Sequence, residues 1–208
     1  MASAAVAVLV AAACLPLAVL AASGLARTDG LATVWWLLVA APLALPGSLV
    51  GVGLIATWNR SFLPQVYGSL AMPVLAGVAR FAPFAAMVVF AQERRVDPDL
   101  VDAARVHQRS ALDGWLRVRL PLLLPGLVAA ACVAFVLALG ELPATVIVMP
   151  PGVQTLTLRI YNYMHYGASD AVAALCLAMT VVVVLVAAAG SLALAGWRRG
   201  RGPAGGLA

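Results

Sequence analysis

Few side chains in this sequence are equipped for chemistry. Arg80 is a lone guanidinium inside one apolar run, and Glu141 interrupts another. Tyr161, Tyr163, His165 and Tyr166 gather phenols and an imidazole, ligand types that suit iron. The same cluster beside an apolar run also fits an aromatic belt at a membrane surface. Between residues 92 and 121, five acids (Glu93, Asp97, Asp99, Asp102, Asp113) mix with six arginines (Arg94, Arg95, Arg105, Arg109, Arg117, Arg119). Cys14, Cys132 and Cys176 lie singly in apolar runs and read as small buried hydrophobes, not a disulfide or metal set. The sequence has no Ser/His/Asp arrangement, paired carboxylates or metal-spaced Cys/His set, and no G-x-x-x-x-G-K-[ST] phosphate loop. Gly51-Val52-Gly53, with Gly47, reads as small-residue helix packing and not as a nucleotide fingerprint. The expectation is a chain that is not an enzyme and binds no metal or cofactor.

The elements that hold these residues must be membrane-spanning. Of 208 residues, 64% are hydrophobic and 10% charged, and the mean hydropathy is +1.03. A globular domain is about 25% charged, so this surface must largely face lipid. At about 20 residues per span, the length holds five or six helices and their loops. The thirteen basic residues are all Arg, and the net charge of +5 reflects cytoplasmic loops, not a nucleic-acid partner. The fold class is therefore an all-α polytopic membrane protein, a single domain over residues 1–208.

Five apolar stretches stand out: Ser3–Leu25, Leu31–Trp58, Ser69–Phe90, Leu122–Ile147 and Ala171–Trp197. No basic residue precedes the first, and its apolar part exceeds a signal-peptide core, so it reads as a span. Pro42, Pro46 and Pro143 predict kinks or breaks in the second and fourth stretches. Ten arginines fall on the side of the loop at residues 92–121, two (Arg60 and Arg159) on the other, and Arg80 within a span. That asymmetry predicts an outside N-terminus and a cytoplasmic C-terminus.

The 92–121 loop has more charge than a topology signal needs. Asp97-Pro98-Asp99 reads as a helix start, with Asp97 as N-cap and Pro98 at the first helical position. Gly114 reads as a turn before Trp115-Leu116-Arg117-Val118. Two short helices with a small-residue face suit either a docking surface or a solvated interfacial loop.

The spacing favours docking. Asp102-Ala103-Ala104, three residues, Gln108, nine residues, then Val118, Arg119, Leu120 and Pro121 resembles the EAA loop of ABC importer permeases. Asp102 stands where that pattern has Glu, and Gln108 where it has Gly. Pro46-Gly47, Arg80-Phe81-Ala82-Pro83-Phe84, Gly140-Glu141-Leu142-Pro143-Ala144-Thr145 and Pro150-Pro151-Gly152 are similar to the ferric-iron branch of those permeases. The resemblance covers roughly Leu31 to Ala188. It implies a type I (MetI-like) importer core in a bacterial inner membrane, with ferric iron as the expected cargo. Its partners would be a separate ABC ATPase that binds the ATP, a periplasmic or extracellular substrate-binding protein, and a second permease copy or paralogue. It implies that Asp102, Ala103, Ala104, Gln108, Val118, Leu120 and Pro121 couple the chain to the ATPase. Thiamine, phosphonate, sulfate or molybdate import by the same machinery is the near alternative. An ion-coupled secondary carrier is the distant one, for which inverted repeats and mid-membrane charges would be expected.

Arg80, Glu141 and Thr145 are the candidate pathway or gate residues. Arg80 either lines a pathway or is held by pairing or snorkelling. Glu141 is its partner by sign. Counting helical rise puts Arg80 about 16 Å below the outer end of its span and Glu141 about 30 Å from the inner end of its own, which argues against a direct pair.

Overall fold

The computed structural model describes residues 2–60, 64–97, 99–100, 102, 110–167 and 169–200. Ala103, Ala104 and Gln108, and so the centre of the expected coupling loop, lie outside them. The described residues form helices and no strands: α1 (Ala2–Leu25), α2 (Leu31–Ala44), α3 (Gly47–Trp58), α4 (Pro64–Tyr67), α5 (Ala71–Glu93), α6 (Ala111–Gly114), a π-helical turn (Trp115–Arg119), α7 (Leu120–Leu139), α8 (Pro143–Val148), α9 (Leu156–His165) and α10 (Ser169–Gly200). Four helical segments are long and apolar enough to span a membrane, or five if the bent α2–α3 pair counts as one span.

The centre of the bundle is α1 packed on α5 and α7. The inward face of α1 is a column of small residues, Ala7, Ala11, Cys14, Ala18 and Ala22, all buried. Their spacing of three or four keeps them on one face of the helix. All but Ala7 meet Ala85, Ala86 and Val89 of α5 and Ala130 and Ala134 of α7 in one core cluster. Among lipid-soluble helices, association depends on close backbone approach more than on the hydrophobic effect, which is why small residues occupy this seam. Gly77 shows the tolerance: a Cβ there would come within 2.6 Å of Val10 Cγ2. A second, smaller cluster joins α5 and α8 through Met72, Ala76, Ala144 and Val148, with Leu54, Ile55 and Trp58 of α3 packed on it.

The second stretch breaks, as its prolines predict, between α2 and α3 with a bend of 104°. Leu45 is extended (ψ 128°), as the residue before a proline prefers, and Pro46 (ψ 141°) precedes α3 without an N–H to continue the ladder. The Pro46 carbonyl still accepts from Leu49 and Val50, at 3.0 and 3.2 Å. The fourth stretch also divides. Helix α7 stops at Leu139, Gly140 to Leu142 leave the helix, and Pro143 starts α8.

Gly114 is a correction. It is helical (φ −62°, ψ −39°) and leads straight into the π-helical turn, so it marks no reversal of the chain. Its burial explains the glycine better than any turn does. Of the three cysteines, Cys14 is buried as expected, but Cys176 is exposed. It lies on α10, whose most apolar window has no residue buried within the chain. That face is left to lipid or to another subunit.

Candidate functional site: a paired charge between two broken helices

The two breaks meet. Gly47 opens α3 beside Arg80 of α5, so closely that a Cβ on Gly47 would lie 2.5 Å from Arg80 Nη1 and 3.1 Å from Pro143 Cβ. Gly51, one turn on, packs on Ile147 and the Ala144 carbonyl of α8, whereas Gly53 meets nothing within 4 Å. The small-residue reading thus holds for Gly47 and Gly51 and not for Gly53.

At the same place Arg80 Nη1 donates to Glu141 Oε2, so the two candidate residues are a direct ion pair. The expectation from depth is overturned. Helical rise measures distance along a straight axis, but the chain leaves the axis of α7 at Gly140. Two long side chains then close what separation remains. Glu141 is 7% exposed. Its other oxygen, Oε1, accepts the Ala144 N–H at 2.7 Å and so caps the first turn of α8. A carboxylate that accepts from both a guanidinium and a helix N-terminus is well compensated for burial. The Arg80 guanidinium also lies 5.5 Å from the centre of the Phe81 ring, within cation–π range.

Further polar contacts extend this site outward along the chain. Thr157 Oγ1 donates to the Glu141 carbonyl at 3.0 Å and lies 3.2 Å from Thr155 Oγ1. Thr155 caps α9 by accepting from the Leu158 N–H, and the Leu156 N–H donates to Ser3 Oγ of α1 at 2.6 Å. Thr155, as a threonine before a helical run, carried an N-cap signal that sequence reading could have used. Ser3 and Thr157 carried none. Thr145, the third candidate, is buried on α8, and its carbonyl accepts from Met149 at 2.9 Å. The Tyr cluster is dispersed along α9. Tyr161, Tyr163 and Tyr166 are exposed, and the His165 ring sits 4.4 Å from that of Tyr161 with Nδ1 2.8 Å from the Tyr161 carbonyl. Among the described residues no three His, Cys, Asp or Glu side chains converge.

At the opposite end of α5, the Asp97 carboxylate accepts the Asp99 N–H at 3.0 Å, as the N-cap expectation requires. Asp102 is helical and exposed, while Val118, Leu120 and Pro121 are half-buried where the loop rejoins the bundle. Arg27, between α1 and α2, pairs with Asp29 at 2.5 Å; its hydrogen bond holds that exposed carboxyl below its usual pKa.

The two broken helices thus meet around the Arg80–Glu141 pair, and a charged loop joins two of the long apolar helices. Residues 4–197 match the family described as binding-protein-dependent transport system inner membrane component, and the chain belongs to that family, the permeases of ABC importers. The chain is 30% identical to a putative 2-aminoethylphosphonate transport system permease protein of Salmonella paratyphi A, over 77% of this chain and 61% of that protein. It is 26% identical to a molybdate/tungstate permease of Thermococcus kodakarensis over 72% of this chain and 60% of the relative. A putrescine permease of Escherichia coli is 25% identical, over 66% and 50% respectively. The chain thus spans about three fifths of the length of the first two relatives. A chain of the inward-facing MetNI methionine ABC transporter has the same fold, with TM-score 0.77, 19% identity, and 94% of this chain and 93% of that one covered.

Proposed function

We propose that this chain forms half of a membrane pathway for an ATP-driven importer. A separate ATPase docks on the Asp102–Pro121 loop, and a binding protein delivers substrate from the other side. A second permease completes the pathway. The observation that carries the reading is the family match across 4–197, supported by the Asp102-Ala103-Ala104 to Leu120-Pro121 spacing between two spans. The ATP belongs to the partner, since this sequence has no phosphate loop. The Arg asymmetry supports an outside N-terminus and a cytoplasmic loop and C-terminus. Alkaline phosphatase fused after Arg60 or Gly152 is therefore expected to be active, and fused after Gln108 or Arg201 inactive. Activity at Gln108 would refute both the orientation and the docking loop.

For cargo we infer a small oxyanion of the phosphonate class, on the 30% identity with the aminoethylphosphonate permease. Ferric iron is the second reading, resting on the Gly140–Thr145 and Pro150–Gly152 resemblance. Either way selectivity belongs mainly to the binding protein. Labelled 2-aminoethylphosphonate and ferric-iron uptake, measured in cells with and without the gene, separates the two. Loss of phosphonate uptake alone is the expected result; loss of iron uptake alone reverses the assignment.

A further inference from the structure

The coupling loop leaves α5 and rejoins α7 at one point, and that point is fastened. Glu93, the last residue of α5, accepts a charge-assisted bond from Arg119 Nη2, with side-chain exposures of 14% and 37%. One residue earlier, Gln92 Nε2 donates to the Leu122 carbonyl at 3.1 Å. Gly126 lies against the same side chain; a Cβ there would approach Gln92 Cβ to 2.5 Å. The three contacts join the final turn of α5 to the first turns of α7. The joint includes the π-helical turn Trp115–Arg119, in which the Leu120 N–H reaches back to the Trp115 carbonyl. A π turn inserts one extra residue and resets the direction of every side chain before it. Here it ends on Arg119, which spans to Glu93. Asp113 and Arg117, bonded at 2.6 Å, brace the segment just upstream.

We infer that Gln92, Glu93 and Arg119 form a transmission joint. They are positioning residues that make the loop move as one body with α5 and α7, so that a displacement of the loop is passed to the Arg80–Glu141 region, on α5 and just past the end of α7. None of them needs to touch the ATPase. This rests on the coupling-loop reading above. If the loop were fastened only to hold a docking surface, loosening the joint would cost ATPase binding. If it transmits, loosening the joint would cost the work done per ATP while binding persists.

The test uses the whole transporter in liposomes, with ATPase and binding protein present. Transport and ATP hydrolysis are measured together for Glu93→Gln, Gln92→Ala and the reversed pair Glu93→Arg with Arg119→Glu. The ratio of substrate moved to ATP hydrolysed is indifferent to how much protein folds. We expect Glu93→Gln to keep its ATPase on co-purification and to lower that ratio about fivefold or more, the low end of coupling between distant sites. Gln92→Ala should lower it less, and the reversed pair should recover it. A wild-type ratio in Glu93→Gln, no recovery in the reversed pair, or loss of the ATPase from Glu93→Gln each overturns the joint. Ala104→Asp, run in parallel, addresses the loop itself. If that variant keeps both its ATPase and its transport, the docking assignment fails independently of the joint.

Discussion

Ala104→Asp is expected to yield a stably inserted protein that no longer co-purifies with its ATPase. Small side chains let a loop helix enter a partner's cleft, and an aspartate there would carry an unpaired carboxylate into the contact. Leaving such a group desolvated costs about 1–3 kcal/mol, or roughly 5- to 150-fold in affinity. The loop is proposed to stay out of lipid, so insertion and detergent stability should match the wild type. Gln108→Gly, which restores the residue type of the EAA pattern, should be tolerated. Pull-down of the ATPase from membranes, with stimulated hydrolysis as a second readout, checks both variants. Wild-type binding together with wild-type transport by Ala104→Asp would end the docking assignment.

Breaking the Arg80–Glu141 pair should produce the largest loss of stability. Removing one member of a fully buried pair costs about 3–5 kcal/mol, an upper bound here because Arg80 is a quarter exposed and Glu141 keeps the Ala144 N–H. Arg80→Ala should therefore lower the unfolding temperature of the purified protein sharply. The two substitutions at Glu141 should differ. Glu141→Gln keeps an oxygen for the Ala144 N–H, whereas Glu141→Ala leaves that helix terminus uncapped as well. Glu141→Ala should be the worse by about 1–3 kcal/mol. Thermal unfolding in detergent, followed by fluorescence-detected size exclusion, gives the order. Equal stability of Arg80→Ala and the wild type would show that the pair does not hold the two breaks together.

The spans were readable because each is a long apolar run. The breaks were readable because Pro46 and Pro143 cannot continue a helical ladder. The Asp97 cap followed from residue type alone. The core seam was not legible. In a chain apolar on every face, the inner surface of α1 differs from the outer in side-chain size, and hydropathy does not register that. The Arg80–Glu141 pair was missed because rise per residue is a one-dimensional measure and the chain turns at Gly140. Glu93–Arg119 was hidden differently: among six arginines and five acids, sign permits many pairings and only the end of α5 selects one. Gly114 misled because glycine serves close packing as readily as a turn.

Helix α10, with 32 residues and no buried residue in its apolar window, has a consequence for the bilayer around it. From Ala171 to Ala195 it rises about 37 Å, against about 30 Å of hydrocarbon. A straight rod of that length is matched when it leans roughly 35° from the membrane normal, within the range such helices adopt. Its two ends are then displaced sideways by about 20 Å. It is held to the rest of the chain by contacts with α9 and with α7, where Gly190 admits the Cys132 sulfur. A thinner membrane tips it further and a thicker one raises it. The excess length allows such a lean, and packing against neighbouring helices sets its angle.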